Sequence, residues 1–291
     1  MSLWATQTLL LPLNFPQDFL PERSLLSRLL TFASQNGRGD KRAISDATDI
    51  PTGESTGKVE PMIHYACGMG LVQAEKHGAE WQLQLTALGR VIKAEDPYLS
   101  ESVTQWVLHL LLCRRIDLSE PARGMADAWF ALFAEGGLRL GQIFERTAYE
   151  HFLEERHGAK SYLKSLSGLV PRSYLEPTCF GAIRALSAES KDIYTRHPAP
   201  ADTGHFPAYA AYLCLVWDHL YPEQSQLAID ELFTANRCLE VLGWNQATAS
   251  RWLDWMADQG LLQLDRQTGN TLALRLQETD AVIEGLFAGL V

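Results

Sequence analysis

Four side chains able to bind a metal or move a proton fall on one short stretch: His151, Glu154, Glu155 and His157. On a helix, His151 and Glu155 share a face at i and i+4. The spacing is not HExxH, because the second helical ligand is a carboxylate and no third ligand is evident. A solvated charged face is the expected role, with a metal-dependent enzyme using His151 and Glu155 as its rival. His109 stands in an apolar run, which suits a hydrogen-bonded core histidine better than a ligand. Asp218-His219 and His205 make a dyad only if folding brings them together. The five cysteines (Cys67, Cys113, Cys179, Cys214, Cys238) lack any CxxC spacing, so buried, reduced thiols are expected. No GxGxxG, GxxxxGK[ST] or GxSxG is present, and Gly136-Gly137 reads as a helix break. No catalytic residue, metal or other cofactor is expected, and the chain reads as a non-enzyme.

The second chemistry the residues offer is phosphate contact. Lys41 and Arg42 open one short helical stretch, Lys58 opens another, and Lys76 sits at a turn between two strands. Thr52 and Ser55 lie between them and can reach a groove. These six are the candidate DNA-binding residues, the cations holding phosphates and the hydroxyls touching base edges. The charge arithmetic limits the idea. The 291 residues carry 25 Lys and Arg against 35 Asp and Glu, a net charge of −10, which argues against wholesale coating of nucleic acid.

The elements that must position these residues follow from periodicity. Pro21–Ser34 carries Leu25, Leu26, Leu29, Leu30 and Ala33 at helical spacing, with Pro21 placed for the first turn. Lys41–Thr48 is a short helix, and Lys58–Cys67 a third with Val59, Met62, Ile63 and Ala66 on one face. Gly70 closes that helix, and Val72–His77 with Glu80–Leu85 form a hairpin whose Trp81, Leu83 and Leu85 share a face. Helix, helix, helix, hairpin is the order of a winged helix-turn-helix.

The order recurs near the end. Leu227–Leu232 and Arg237–Leu242 are short apolar-periodic pieces. Asn245 is an N-cap for Gln246–Gln259, and Gly260 leads into a second hairpin with Gly269 in its turn. Between the two lies a stretch expected to be helical. Val103–Cys113 and Ala208–Tyr221 are apolar enough to be buried on most sides, and Ala122–Ala134 and Leu138–Arg156 are amphipathic. Pro171 and Pro177 interrupt the pattern, and residues 187–207 read as a long loop. The expected fold is mainly α, with winged-helix-like domains at 20–95 and 227–291 bracketing a helical middle domain at 96–226. The first module balances nine basic against nine acidic residues over Leu20–Glu95, and the second holds four basic against six acidic over Leu227–Gln277. Protein or self contact is therefore favoured for the second.

Leu85-Thr-Ala-Leu-Gly-Arg-Val-Ile92, followed by Asp96-Pro-Tyr-Leu99 and Thr104-Gln-Trp-Val-Leu-His109, resembles the pattern of the uncharacterised bacterial DUF family 4007. That family runs an LTxLGxxI segment into DPYLE and TLWLLH. The likeness is continuous from about Gly70 to Phe133, and in order through Leu175–Leu186 and His205–Leu220. It departs at Ser100-Glu101, where DPYLE becomes DPYLS, and the family's aromatic, glycine- and histidine-containing opening is absent. The resemblance implies an accessory protein beside DNA-modification and phage-defence genes, including those of phosphorothioation.

Without the resemblance, Asp96-Pro97 reads as a cap and first turn for the next helix, with Tyr98 docked on the module. The run Leu9–Leu13 has no basic residue before it, which does not suit a signal peptide, and no stretch is long enough to span a membrane. The expectation is a cytoplasmic accessory protein that binds double-stranded DNA, a partner enzyme of the same system, or both. The rival from another class is a scaffold or homodimerising module without DNA binding.

Overall fold

The computed structural model describes residues 10–53, 56–266 and 270–290. Ser55 and Gly269 lie outside the described residues, as does the part of the N-terminal apolar run before Leu10. Helix dominates, and three small antiparallel sheets accompany it.

The first unit runs α1 (Arg23–Ala33), β1 (Arg38–Gly39), α2 (Lys41–Thr48), α3 (Val59–Gly68), β2 (Val72–His77), β3 (Glu80–Leu85) and α4 (Ala87–Glu95). Its sheet order is β1-β3-β2. The leucine stripe of α1 is buried as its spacing requires. Pro21 precedes the Glu22 cap, so it sits outside the first turn where it was expected. Asp40 caps α2 by accepting from the backbone N–H groups of Arg42 and Ala43. Gly70 takes the left-handed conformation that closes α3, with φ 71°.

The family-like segment has a packing explanation. Thr86 Oγ1 accepts from Gly89 N at 2.9 Å, capping α4, and donates to Gly70 O at 2.6 Å. A Cβ on Gly89 would overlap the Leu71 carbonyl oxygen, so a glycine is required where α4 crosses the hairpin's root. The Asp96 side chain accepts from Ser100 N, Ser100 Oγ and Glu101 N at 2.9–3.0 Å. It folds the loop rather than capping a helix, because the next helix, α5 (Ser102–Leu112), begins after Glu101. Tyr98 is 74% exposed instead of docked.

Helix α5 is buried along nearly its whole length, including Thr104, Gln105 and His109. An all-round apolar helix requires neighbours on every side. The chain continues through α6 (Asp127–Phe130), a π-helical turn Ala131–Glu135 and α7 (Gly136–Arg139), then β4 (Ile143–Glu145), α8 (Arg146–His157) and α9 (Leu163–Leu175). Two corrections follow. The segment Leu138–Arg156 is broken by β4, and Pro171 lies inside α9 instead of interrupting it. A third correction is larger. Residues 187–207, whose prolines predict a long loop, instead hold most of β5 (Leu186–Ser190) and all of β6 (Ile193–Arg196), turning at Asp192 with φ 66°. With β4 they form a sheet of order β4-β6-β5.

The last unit begins at α10 (Phe206–Leu220), which packs along α5. It proceeds through β7 (Gln226–Ala228), α11 (Ile229–Asn236), α12 (Cys238–Leu242), α13 (Gln246–Asp258), β8 (Leu262–Asp265), β9 (Leu272–Arg275) and α14 (Thr279–Glu284). Asn245 caps α13 through Thr248 N as expected. Its sheet order is β7-β9-β8. Strand, helices, hairpin, with the first strand added beside the last, thus occurs three times along the chain. One continuous core joins the three units. The buried Arg114 ties α3 to α5 by donating to Gly68 O at 2.5 Å and Leu111 O at 2.7 Å, and burial lowers its pKa to about 10.

Candidate nucleic-acid interface

The cations expected to meet phosphate gather around α2, α3 and the β2–β3 turn, and carboxylates are already seated among them. Glu60, on the first turn of α3, receives Lys76 Nζ at 2.7 Å and Lys41 Nζ at 3.7 Å. Burial opposes ionisation of Glu60, but the hydrogen bond and charge of Lys76, aided by Lys41, outweigh it and hold the carboxyl below its ordinary pKa. Lys76 also lies 4.7 Å from the centre of the Trp81 ring. Lys58 Nζ sits 2.5 Å from Glu22 Oε1, so it ties the start of α3 to the start of α1.

Arg42 is exposed and has no ion pair among the described residues. Thr52 closes a one-residue bridge with Gly57, and its hydroxyl is buried without a hydrogen-bond partner. Helix α3 itself is mostly interior, with Val59, Pro61, Met62, Ile63, Tyr65, Ala66 and Gly68 buried. The sequence shows the cations by type but carries no sign of the partners that tertiary packing supplies.

The proton-moving candidates separate in space. Asp218 pairs with Arg275, and His219 Nε2 lies 2.7 Å from Ile116 O, donating to that carbonyl. His205 joins neither, so the conditional dyad does not form. Instead His205 Nε2 lies 2.9 Å from Ser102 Oγ, and its Nδ1 lies 2.9 and 3.0 Å from the two Asp202 oxygens. Asp202 Oδ1 also accepts from Gly204 N and His205 N, so the chain of contacts fixes the start of α10 against the start of α5.

His151 is exposed, with Nε2 3.2 Å from Glu155 Oε1, and Glu155 also meets Arg139. His157 turns away and places Nε2 2.9 Å from Asp127 Oδ2. Asp127 also receives Arg156, whose Nη1 reaches Glu135 at 2.7 Å. Among the described residues no three His, Cys, Asp or Glu side chains are grouped to hold a metal ion. His109 is a core histidine, hydrogen-bonded to Tyr174 Oη at 2.6 Å, and burial lowers its pKa to about 3. The five cysteines are free, and no helix among the described residues is long and apolar enough to cross a membrane.

Fold and surface together define a helix-dominated α/β protein built from three helix-and-hairpin units. No family profile and no curated protein matches the chain. Two solved structures share its fold. A magnesium ion-bound SspB crystal structure aligns with TM-score 0.69 and 14% identity over 95% of this chain and 88% of that one. A second SspB crystal structure aligns with TM-score 0.66 and 13% identity over the same shares.

Proposed function

We propose that this protein is a non-catalytic accessory component of a bacterial DNA-modification or phage-defence system of the phosphorothioation type. It binds duplex DNA, a partner enzyme, or both through winged-helix-like units. The observation that carries the reading is the fold shared with the two SspB structures along nearly the whole chain. The resemblance of Leu85–His109 to DUF family 4007 supports the same reading from sequence. The mechanism is recruitment. Lys41, Arg42, Lys58 and Lys76 hold phosphates, and the counterions they displace from the duplex favour binding. One SspB structure is described as magnesium-bound. The described residues here group no metal-ligating trio, and the reading uses no metal.

Fluorescence anisotropy with a labelled duplex at low salt, followed by a salt titration, tests the DNA arm. Binding should weaken with salt, each neutralised phosphate adding about 0.9 to the log–log slope. Absence of binding at low salt removes that arm. The protein-contact arm has its own observation: Leu138 is 86% exposed and Ile143, on the edge strand β4, is 61% exposed. Co-purification with a DNA-modification enzyme of the same system, lost in a Leu138→Glu, Ile143→Glu variant, would support that arm.

A further inference from the structure

Three helices hold the position just before a hairpin: α3, α9 and α13. Their outward faces differ in charge. The face of α3 is small and its neighbouring lysines are held by Glu60 and Glu22. The exposed side of α13 carries Arg251 with Asp254 and Asp258, and Asp254 is bridged to Arg266. Helix α9 presents Lys164 and Arg172, with Lys160 and Ser161 in the turn that leads into it and Ser165 beside Lys164, all exposed. None of Lys160, Lys164 and Arg172 has an ion pair among the described residues.

We infer that the outward face of α9, built on Lys160, Lys164 and Arg172, is a contact surface for the sugar–phosphate backbone of duplex DNA. This rests on the DNA-binding arm of the proposed function and moves its centre from the first unit to the middle one. Lys164, Gly168 and Arg172 fall on successive turns, so two cations stand about 12 Å apart along the axis with a residue lacking a side chain between them. Small residues beside cations let a backbone approach closely, which suits phosphate more than it suits a protein carboxylate on a bulky side chain.

The hairpin tip stands by the same helix. Arg146 Nε meets Asp192 Oδ1 at 3.0 Å at the β5–β6 turn, and its Nη1 lies 3.4 Å from Ser167 Oγ of α9. Lys191, in the same turn, is exposed. Among the acids nearby, Glu150 and Asp192 are held by Arg146, while the Asp18 carboxylate accepts from the neutral Ser165 hydroxyl beside Lys164. Glu176, one turn beyond Arg172, marks the end of the basic face. A row of unpaired cations meeting phosphate releases counterions without first giving up a carboxylate partner, which the lysines around Glu60 must do.

The test uses the full chain and a fluorescein-labelled duplex in anisotropy titrations at several salt concentrations. The Lys160→Gln, Lys164→Gln, Arg172→Gln variant should lose tenfold or more in affinity at low salt, with a slope flatter by about 2.7. Each single variant should flatten it by about 0.9. All three positions are solvent-exposed, and circular dichroism with an unfolding curve confirms that the variants fold. Lys164→Arg should retain the wild-type slope. If wild type binds and these variants keep its affinity and slope while Lys41→Gln, Arg42→Gln flattens it, α9 is overturned and the first unit stands. If wild type does not bind at low salt, the DNA arm and this surface fall together.

Discussion

Helices α3 and α9 occupy the same place in the element order, each the last α-helix before a hairpin, and they differ in how the cations beside them are paired. In α3, seven of ten residues are buried, and the cations around it pair with Glu60 and Glu22. Helix α9 buries eight of its thirteen residues, a similar share, yet keeps Lys164 and Arg172 free of ion pairs among the described residues. The same order of elements therefore builds two largely buried helices, one a strut whose neighbouring lysines are tied by carboxylates and one whose cations are free of ion pairs. What separates them is the next layer of packing. Helix α5 and the N-terminal residues around Phe15 cover α3, with Phe15 stacked edge-on against Tyr65 at 4.8 Å. Element order alone does not identify a recognition helix.

The comparison breaks most easily at its structural end. If α3 is a strut, Met62→Ala should lower unfolding free energy by about 2–5 kcal/mol, since Met62 is fully buried. Lys164→Ala on α9 should change it by less than about 0.5 kcal/mol. Urea unfolding of the two variants measures both, and similar losses would erase the distinction. Within the middle unit, the inward charges should behave as stability elements, unlike the outward row. Asp127 is mostly buried, and although burial works against its ionisation, His157 and Arg156 with the Gly124 N–H hold its carboxyl far below the usual range. Asp127→Asn should cost about 2–3 kcal/mol at pH 7, because Arg156 and His157 lose a shared partner. The sign for pH follows from the lowered pKa. The contribution is present above about 3.9, the unfolded value, and is lost as pH falls further. Acid unfolding below pH 4 should therefore be shallower in the variant.

Much of this was readable before folding, and the missed parts share a cause. The stripe of α1, the largely apolar α5 and α10 and the first hairpin write their patterns over six or more residues, and the Asn245 cap is legible from residue type alone. The strands β1, β4 and β7 are two or three residues long and exist only because β3, β6 and β9 offer an edge. The hairpin β5–β6 was hidden for another reason: the alternation Leu186-Ser187-Ala188-Glu189 is brief, the register shifts between Ala188 and Ser190, and Pro198, Pro200 and Pro207 crowd the text after it. Pro171 is tolerated within α9 where a proline signals a break. At the candidate interface the residue types were legible, but Glu60 lies two positions from Lys58 in sequence and serves Lys41 and Lys76 instead.

The buried pair that anchors α9 to α5 offers a smaller effect with a distinct pH window. His109 is held to about 3 by burial, and His64 and His219 are pushed down by the same cause. Unfolded histidines titrate near 6.5, so the folded state binds fewer protons below that pH. Stability is then fully present above about 6.5 and lost as pH falls toward 3, at up to about 1.4 kcal/mol per unit for His109. The His109→Gln variant should start less stable, having lost the Tyr174 contact, but its stability should fall less between pH 6.5 and 4.5. An unchanged slope in pH-dependent unfolding would show that His109 does not contribute there.

Glu60→Gln tests the comparison where its expected effect on stability is smallest. Lys41 and Lys76 are about half exposed, so their pairs with Glu60 are worth at most about 1 kcal/mol together with solvent screening. Removing the carboxylate charge leaves both lysines free to meet phosphate and makes the first unit resemble the middle one. DNA affinity at low salt should rise a few-fold, and the salt slope should steepen by about 0.9 for each lysine that gains a phosphate. A steeper slope would mean that the first unit faces the duplex and that Glu60 sets how strongly it engages. An unchanged slope, with α9 variants still weakening binding, would confine the interface to the middle unit and leave the lysines around α3 as ties within the fold.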